Sequence, residues 1–194
     1  MRPLQAYIAR LAQEYKTGLT TEHSLRPALV ELLTNLEPLK RFAIINEPKR
    51  IECGAPDIVL LSKGIPVAYF ETKDIGDTDL RGVKQNKEQF DRYKQGLECV
   101  VFTDFLRFLL YQDGESVCEV RVAEQDGDRL TLIPDAEARF EELLAHLRDA
   151  QPSPITSPKR LALLMAGKAQ LLSRAVAVIL DDTERKEGQK LLKQ

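Results

Sequence analysis

The stretch from residue 54 to 73 constrains this chain more than any other. Two apolar runs, 58–61 and 65–70, flank Ser62-Lys63-Gly64, and each carries acidic residues at the end away from that turn. This pattern reads as a β-hairpin with charge at its open end. A three-residue loop with Gly64 left-handed pairs Leu61 with Ile65 and Asp57 with Tyr69, which puts Asp57, Glu71 and Lys73 on one face. A two-residue Lys63-Gly64 turn puts Asp57 on the opposite face, so the register decides whether the charges meet. Two carboxylates and an ammonium together make a device for hydrolysing phosphodiesters. Carboxylate oxygens suit Mg²⁺, which is usually held by one or two carboxylates plus substrate phosphate, while a nearby lysine orients or deprotonates the water.

Pro56-Asp57 followed by Glu71-Thr72-Lys73 resembles the P-D…(D/E)-x-K signature of the PD-(D/E)xK nuclease superfamily. The resemblance implies an α/β, restriction-endonuclease-like fold with a mixed central β-sheet flanked by helices. It also implies that Asp57, Glu71 and the Thr72 backbone carbonyl hold Mg²⁺, with Mn²⁺ fitting the same ligands. Lys73 then positions or activates the water.

Length and composition set the frame. At 194 residues, with 43% hydrophobic and 30% charged side chains, the chain is globular and long enough for a genuine core. No stretch has the apolar length of a membrane span, and Met1-Arg2-Pro3-Leu4-Gln5 leads into a mixed helix rather than a signal peptide, so no membrane partner and a cytoplasmic location are expected. Cys53, Cys99 and Cys118 lack C-x-x-C spacing and read as reduced thiols. The net charge of -2 makes no global case for nucleic acid, so DNA binding requires a local patch.

Taken in order, residues 3–16 show helical spacing in Leu4, Tyr7, Ile8, Leu11, Ala12 and Tyr15, and Gly18 ends that helix. Thr20 or Thr21 caps a second helix to about Asn35, with Leu25, Leu29, Leu32 and Leu33 buried. Within it, Glu22 and Arg26 stand four apart as an i,i+4 pair. In the nuclease resemblance this helix supplies an acidic residue or a histidine to the metal, Glu22 or His23. These two point about 100° apart on a helix, so one of them faces the site. Arg41 to Glu47 reads as a strand.

Beyond Lys73, Thr78 or Asp79 is expected to cap a helix running to about Gln95, with Leu80, Val83, Phe90 and Leu97 as a narrow apolar stripe. Its surface is basic: Arg81, Lys84, Lys87, Arg92 and Lys94 oppose only Glu88 and Asp91, which makes this the expected DNA-binding patch. Gln89 and Tyr93 lie one turn apart and share a face. They resemble the Q-x-x-x-Y motif that follows E-x-K in recombination exonucleases and motor-linked restriction enzymes, where the pair orients phosphate or the catalytic carboxylates. Residues 98–103, 105–111 and 117–122 read as further strands and 134–147 as a helix, in an α/β sandwich.

Residues 151–158, with three prolines and two serines, read as a linker between a nuclease domain (1–150) and a helical extension (159–194). The segment from Thr21 to Pro27, the Gly54-Ala55-Pro56-Asp57 lead-in, Glu71-Thr72-Lys73 and the Gln89/Tyr93 pair together resemble the N-terminal nuclease domain of Type ISP and related single-polypeptide restriction-modification enzymes. That resemblance implies helicase-like and methyltransferase domains on the same polypeptide, using ATP and S-adenosylmethionine, double-stranded DNA as partner, and dimerisation for double-strand cleavage. The alternatives are a catalytically inactive nuclease-fold DNA-binding module and a stand-alone repair or junction nuclease.

Overall fold

The computed structural model describes residues 2–150 and, beyond them, Met165. The chain divides into two compact units, Met1–Ser153 and Pro154–Gln194. The expected linker at 151–158 and helical extension at 159–194 lie outside the described residues.

Two helices open the chain. Helix α1 (Pro3–Tyr15) starts on a proline, whose missing N–H is no loss in a first turn, and buries Leu4, Tyr7, Ile8 and Leu11. Helix α2 (Glu22–Asn35) is capped by Thr21, whose N–H donates to Ser24 Oγ at 2.9 Å. Pro27 falls in its second turn, and its buried residues include a charged one, Arg26, beside Leu25 and Leu29.

Six strands form one mixed sheet in the order β1 to β6: β1 (Ala43–Asn46), β2 (Ile58–Ser62), β3 (Ile65–Thr72), β4 (Cys99–Thr103), β5 (Arg107–Gln112) and β6 (Glu115–Arg121). Strands β3 and β4 are parallel and every other neighbouring pair is antiparallel. The parallel step requires a crossover, and helix α3 (Lys87–Gly96) lies within it. A separate hairpin, β7 (Ala123–Asp126) with β8 (Arg129–Leu132), leads to helix α4 (Ala136–Asp149). The larger apolar layer joins α1, α2 and α4 to Ile58, Leu60, Phe70, Val101 and Phe108 of the sheet. The smaller one packs Phe90 and Tyr93 of α3 on Val100, Phe102, Leu109 and Tyr111. Strand β4 serves both layers and is buried along its whole length. This is the mixed sheet flanked by helices of a restriction-endonuclease-like fold.

Three expectations need correction. The hairpin turn has two residues, not three: Ser62 pairs with Ile65, and both Lys63 (φ 50°) and Gly64 (φ 80°) are left-handed. Alone, that turn would set Glu71 and Asp57 on opposite faces. However, Leu61 pairs with Pro66 and Leu60 with Ala68, leaving Val67 as an extra, unpaired residue. This β-bulge shifts the register by one, so that Ile58 lies opposite Phe70, but Asp57 falls beyond the paired strand. Its N–H donates to the Phe70 carbonyl at 3.0 Å and its carboxylate accepts from Thr72, so it does not share the face of Glu71 and Lys73 as the three-residue loop would have it. Pro66, which has no N–H to give a ladder, stands where the ladder slips.

The helix expected from Thr78 or Asp79 begins only at Lys87. Residues 74–86 wrap instead around Asp79, whose carboxylate accepts the N–H groups of Val83 (2.8 Å), Lys84 (2.9 Å) and Asn86 (2.9 Å). Burial would raise the pKa of Asp79, but these three donors hold it below the usual value. An aspartate that takes three backbone donors organises a loop rather than a helix start. Val83, expected in the apolar stripe, is accordingly 66% exposed.

Candidate active site

The open end of the β2–β3 hairpin meets α2 on one side and α3 on the other. Glu71, near the end of β3, is 3% exposed. Its Oε1 accepts from Lys73 Nζ at 2.8 Å and from Gln89 Nε2 at 2.6 Å, while Lys73 also donates to Gln89 Oε1 at 3.1 Å. A carboxylate, an amide and an ammonium thus close a three-membered ring between β3 and α3. Glu71 Oε2 is buried without a partner. Burial and then the charge of Asp57 raise the Glu71 carboxyl from 4.5 to about 7, against the opposing pull of Lys73 and Gln89.

Asp57 is held differently. Its Oδ2 accepts both the N–H and the hydroxyl of Thr72, each at 2.7 Å, and its Oδ1 contacts Arg26 Nη2 at 2.7 Å. Thr72, expected only as a carbonyl ligand, therefore also fixes Asp57 with its side chain. Glu71 and Lys73 meet Gln89 of α3, whereas the Asp57 carboxylate meets Thr72 and Arg26 of α2. The three charged groups are neighbours, but they do not form one cluster of mutual hydrogen bonds.

Arg26 forms the i,i+4 pair expected with Glu22, and the structure adds partners that the sequence reading does not name. Its expected partner Glu22 lies 3.3 Å away, yet its main contacts are Asp57 and Thr72 Oγ1 at 3.0 Å, with Glu47 at 3.4 Å. The available signal is its spacing: Arg26, Leu29 and Leu33 lie at i, i+3 and i+7, on the buried side of the helix. Of the adjacent pair, Glu22 turns toward the site. Its pKa is raised by burial and by Asp57, opposed by Lys73 and Arg26. His23 is 68% exposed on its side chain and, among the described residues, lies 3.9 Å from Glu22.

Tyr93 corrects another expectation. It is a core residue, 1% exposed, not half of a polar face. Burial and the charge of Glu71 raise its pKa, against the opposing pull of the Gln89 side chain. Gly54 explains the close fit: a Cβ there would lie 2.7 Å from the Tyr93 ring and 2.9 Å from its hydroxyl. Gly54 thus lets Tyr93 support Gln89, which in turn holds Glu71 and Lys73.

The expected DNA patch is largely self-paired. Arg81 bonds Glu119, Lys87 bonds Asp91, and Arg92 meets Glu88 at 3.1 Å. Lys94 donates to the Arg81 carbonyl and sits 4.3 Å over the Tyr111 ring, where burial lowers its pKa. Lys84 is exposed on the irregular segment before α3. These surface pairs are weak and can be exchanged for phosphate at small cost.

No known family's sequence model matches this chain, and no curated protein is similar to it. Among solved structures it is similar to a chain of the DrdV–DNA complex determined by cryo-electron microscopy, with a TM-score of 0.57 and 22% identity. The match covers 77% of this chain and 14% of that one. At this identity the likeness is one of fold. Among the described residues, no helix is long and apolar enough to cross a membrane.

Proposed function

We propose that this chain is a metal-dependent DNA endonuclease domain of the PD-(D/E)xK type, carried within a larger ATP-dependent restriction-modification enzyme. The observation that carries this reading is Glu71, a buried carboxylate with one oxygen unpartnered, set between Asp57 and Lys73. A desolvated oxygen without a donor is costly unless a cation answers it. The similarity to one short part of a much longer, DNA-bound chain supports both the substrate and the larger context.

The residues fit a hard divalent ion. Among the described residues no group of three or more His, Cys, Asp or Glu side chains is gathered for a metal. Mg²⁺ does not need one, because it usually takes one or two protein carboxylates and completes its shell with water and phosphate. Asp57, Glu71 and the Thr72 carbonyl would hold it, with Glu22 beside them and His23 outside the set. When bound, the ion would supply neutralisation of phosphoryl charge and a more acidic water.

The chain's own groups do the rest. Lys73, held by Glu71 and Gln89, presents an ammonium that orients the attacking water or a phosphate oxygen. Gln89 fixes both partners through one amide, and Tyr93 fixes Gln89. Arg81, Lys84, Lys87, Arg92 and Lys94 contact backbone phosphates, so binding is weakly sequence-selective and weakens as salt rises.

A second reading, a nuclease-fold DNA-binding module without catalysis, is favoured by one observation: one Asp57 oxygen already takes two protein donors and the other is ion-paired with Arg26. Cleavage of supercoiled plasmid with Mg²⁺, Mn²⁺ or chelator, by the wild-type chain and by Asp57→Asn and Lys73→Ala, decides between the two. Metal-dependent nicking that both substitutions remove is the expected result. DNA retention without nicking, unchanged by either substitution in the full-length protein, assigns the chain to the binding module.

A further inference from the structure

Arg26 carries a positive charge that is almost wholly removed from water, being 3% exposed. A guanidinium in that position needs acceptors, since an unanswered buried charge is strongly destabilising. Its closest carboxylate oxygen is Asp57 Oδ1, at 2.7 Å. The other oxygen of Asp57 already receives two hydrogen bonds from Thr72. Oδ1 is thus the oxygen of Asp57 left for a metal, and the positive charge of Arg26 lies against it.

We propose, resting on the nuclease reading above, that Arg26 is a resident cation that competes with the divalent ion for Asp57, so that metal is admitted only as the guanidinium withdraws from Oδ1. The surroundings provide for the withdrawal. Glu22 and Glu47 already lie 3.3 and 3.4 Å from the same guanidinium, on α2 and just past the end of β1. Arg26 can give up Asp57 without losing every carboxylate that answers its charge. The Asp57 oxygen released by Arg26 is then open to a cation, as the unpartnered Glu71 Oε2 already is.

In this arrangement Arg26 is a positioning residue that sets metal affinity. The measured affinity is the intrinsic affinity reduced by the fraction of molecules in which Arg26 stands away from Asp57. Without metal, the same contact holds Asp57 in place and offsets the repulsion between Asp57 and Glu71.

The test is Mn²⁺ binding to the full chain, monitored by calorimetry and by the electron paramagnetic resonance of free Mn²⁺. Wild type is compared with Arg26→Gln, Arg26→Lys and Glu71→Gln, and thermal unfolding with and without Mn²⁺ is measured alongside. Arg26→Gln is expected to bind Mn²⁺ about tenfold more tightly than wild type, as it would if the open state were about a tenth of the population. Its Tm should rise more on Mn²⁺ addition. If Arg26→Gln does not fold without metal, folding on Mn²⁺ addition supports the proposal, because the ion replaces the missing cation. If it folds in neither condition, Arg26→Lys decides: its ammonium grips fewer acceptors and should bind Mn²⁺ more tightly than wild type. Equal or weaker binding by the folded Arg26 variants, with binding still lost in Glu71→Gln, overturns this inference and leaves the nuclease reading standing. Failure of every protein to bind Mn²⁺, or binding that Glu71→Gln leaves intact, removes both.

Discussion

The β2–β3 and β5–β6 hairpins share one construction. Each closes with a two-residue turn whose second residue is glycine, Lys63-Gly64 and Asp113-Gly114, with all four residues left-handed. Each then makes two pairs and slips past one valine, Val67 or Val117. They differ at the open end, where Asp57 and Glu71 stand in the first and the directly paired Arg107 and Arg121 in the second. Like charges facing each other across strands are unfavourable. The second hairpin relieves this ordinarily: Arg107 bonds Asp104 at 2.7 Å and Arg121 is exposed to water. The first keeps its charges out of water, answered by Arg26 and Lys73 and with one oxygen left unpartnered. The strand frame is thus indifferent to chemistry. A site arises where charge is buried although solvation was available.

The two hairpins should part most widely at Lys73. Lys73→Ala is expected to slow plasmid nicking by about 10²–10⁴-fold, the usual worth of a positioned proton-transfer group. Arg121→Gln, in the other hairpin, should leave nicking unchanged in the same assay.

Glu71→Gln tests the burial directly. Glu71 holds its proton up to about pH 7 in the folded chain but only to 4.5 in the unfolded one. Between these values the folded state carries the extra proton, so stability falls as pH rises, by about 3 kcal/mol across the window. Urea unfolding at pH 5 and pH 8 without metal should show that fall in wild type and lose most of it in Glu71→Gln. No slope in the wild type would mean that the carboxylate is solvated.

The shared turns probe the likeness rather than the difference. Gly64→Ala and Gly114→Ala each force a Cβ into left-handed backbone and should cost about 1–2 kcal/mol by urea titration. Gly114→Ala should cost slightly more, since its Cβ would meet the Lys94 carbonyl at 3.3 Å whereas Gly64 has open space. The smallest effect is at Arg121: replacement by Gln should change stability by less than about 0.5 kcal/mol.

The hairpin, its charges and the succession of strands are legible in the sequence, because period-2 patterns and turn residues act locally. The loop length is not, since Ser62 resembles a turn residue, and the bulge leaves only Pro66 as a sign. Asp79 looks like a helix cap because one aspartate before an apolar residue fits both a cap and a loop centre. Once the helix is extended back to it, Val83 falls on the apolar stripe. The spacing that pairs Tyr93 with Gln89 is blind to depth, so a core tyrosine passes for a polar one. Arg26 is visible as a local partner of Glu22 and, by its spacing with Leu29 and Leu33, as a residue of the buried side. Its contact with Asp57 joins residues 31 positions apart and depends on how α2 lies against the strand end, which no local pattern encodes.

The slip at Val67 makes the hairpin a parity device. Residues 68 to 70 relay the strand's two-beat alternation to Glu71, and removing any one of them while the slip stays in place would exchange the two faces of the strand from that point on. Glu71 and Lys73 would then be aimed into the apolar layer beneath α1 and α2. Val67 is the exception: its deletion costs a packed side chain but leaves every pair from Leu60–Ala68 onward in frame. The lineage of such a hairpin can therefore gain or lose a residue at the slip and keep its chemistry, while the same edit three residues later erases it.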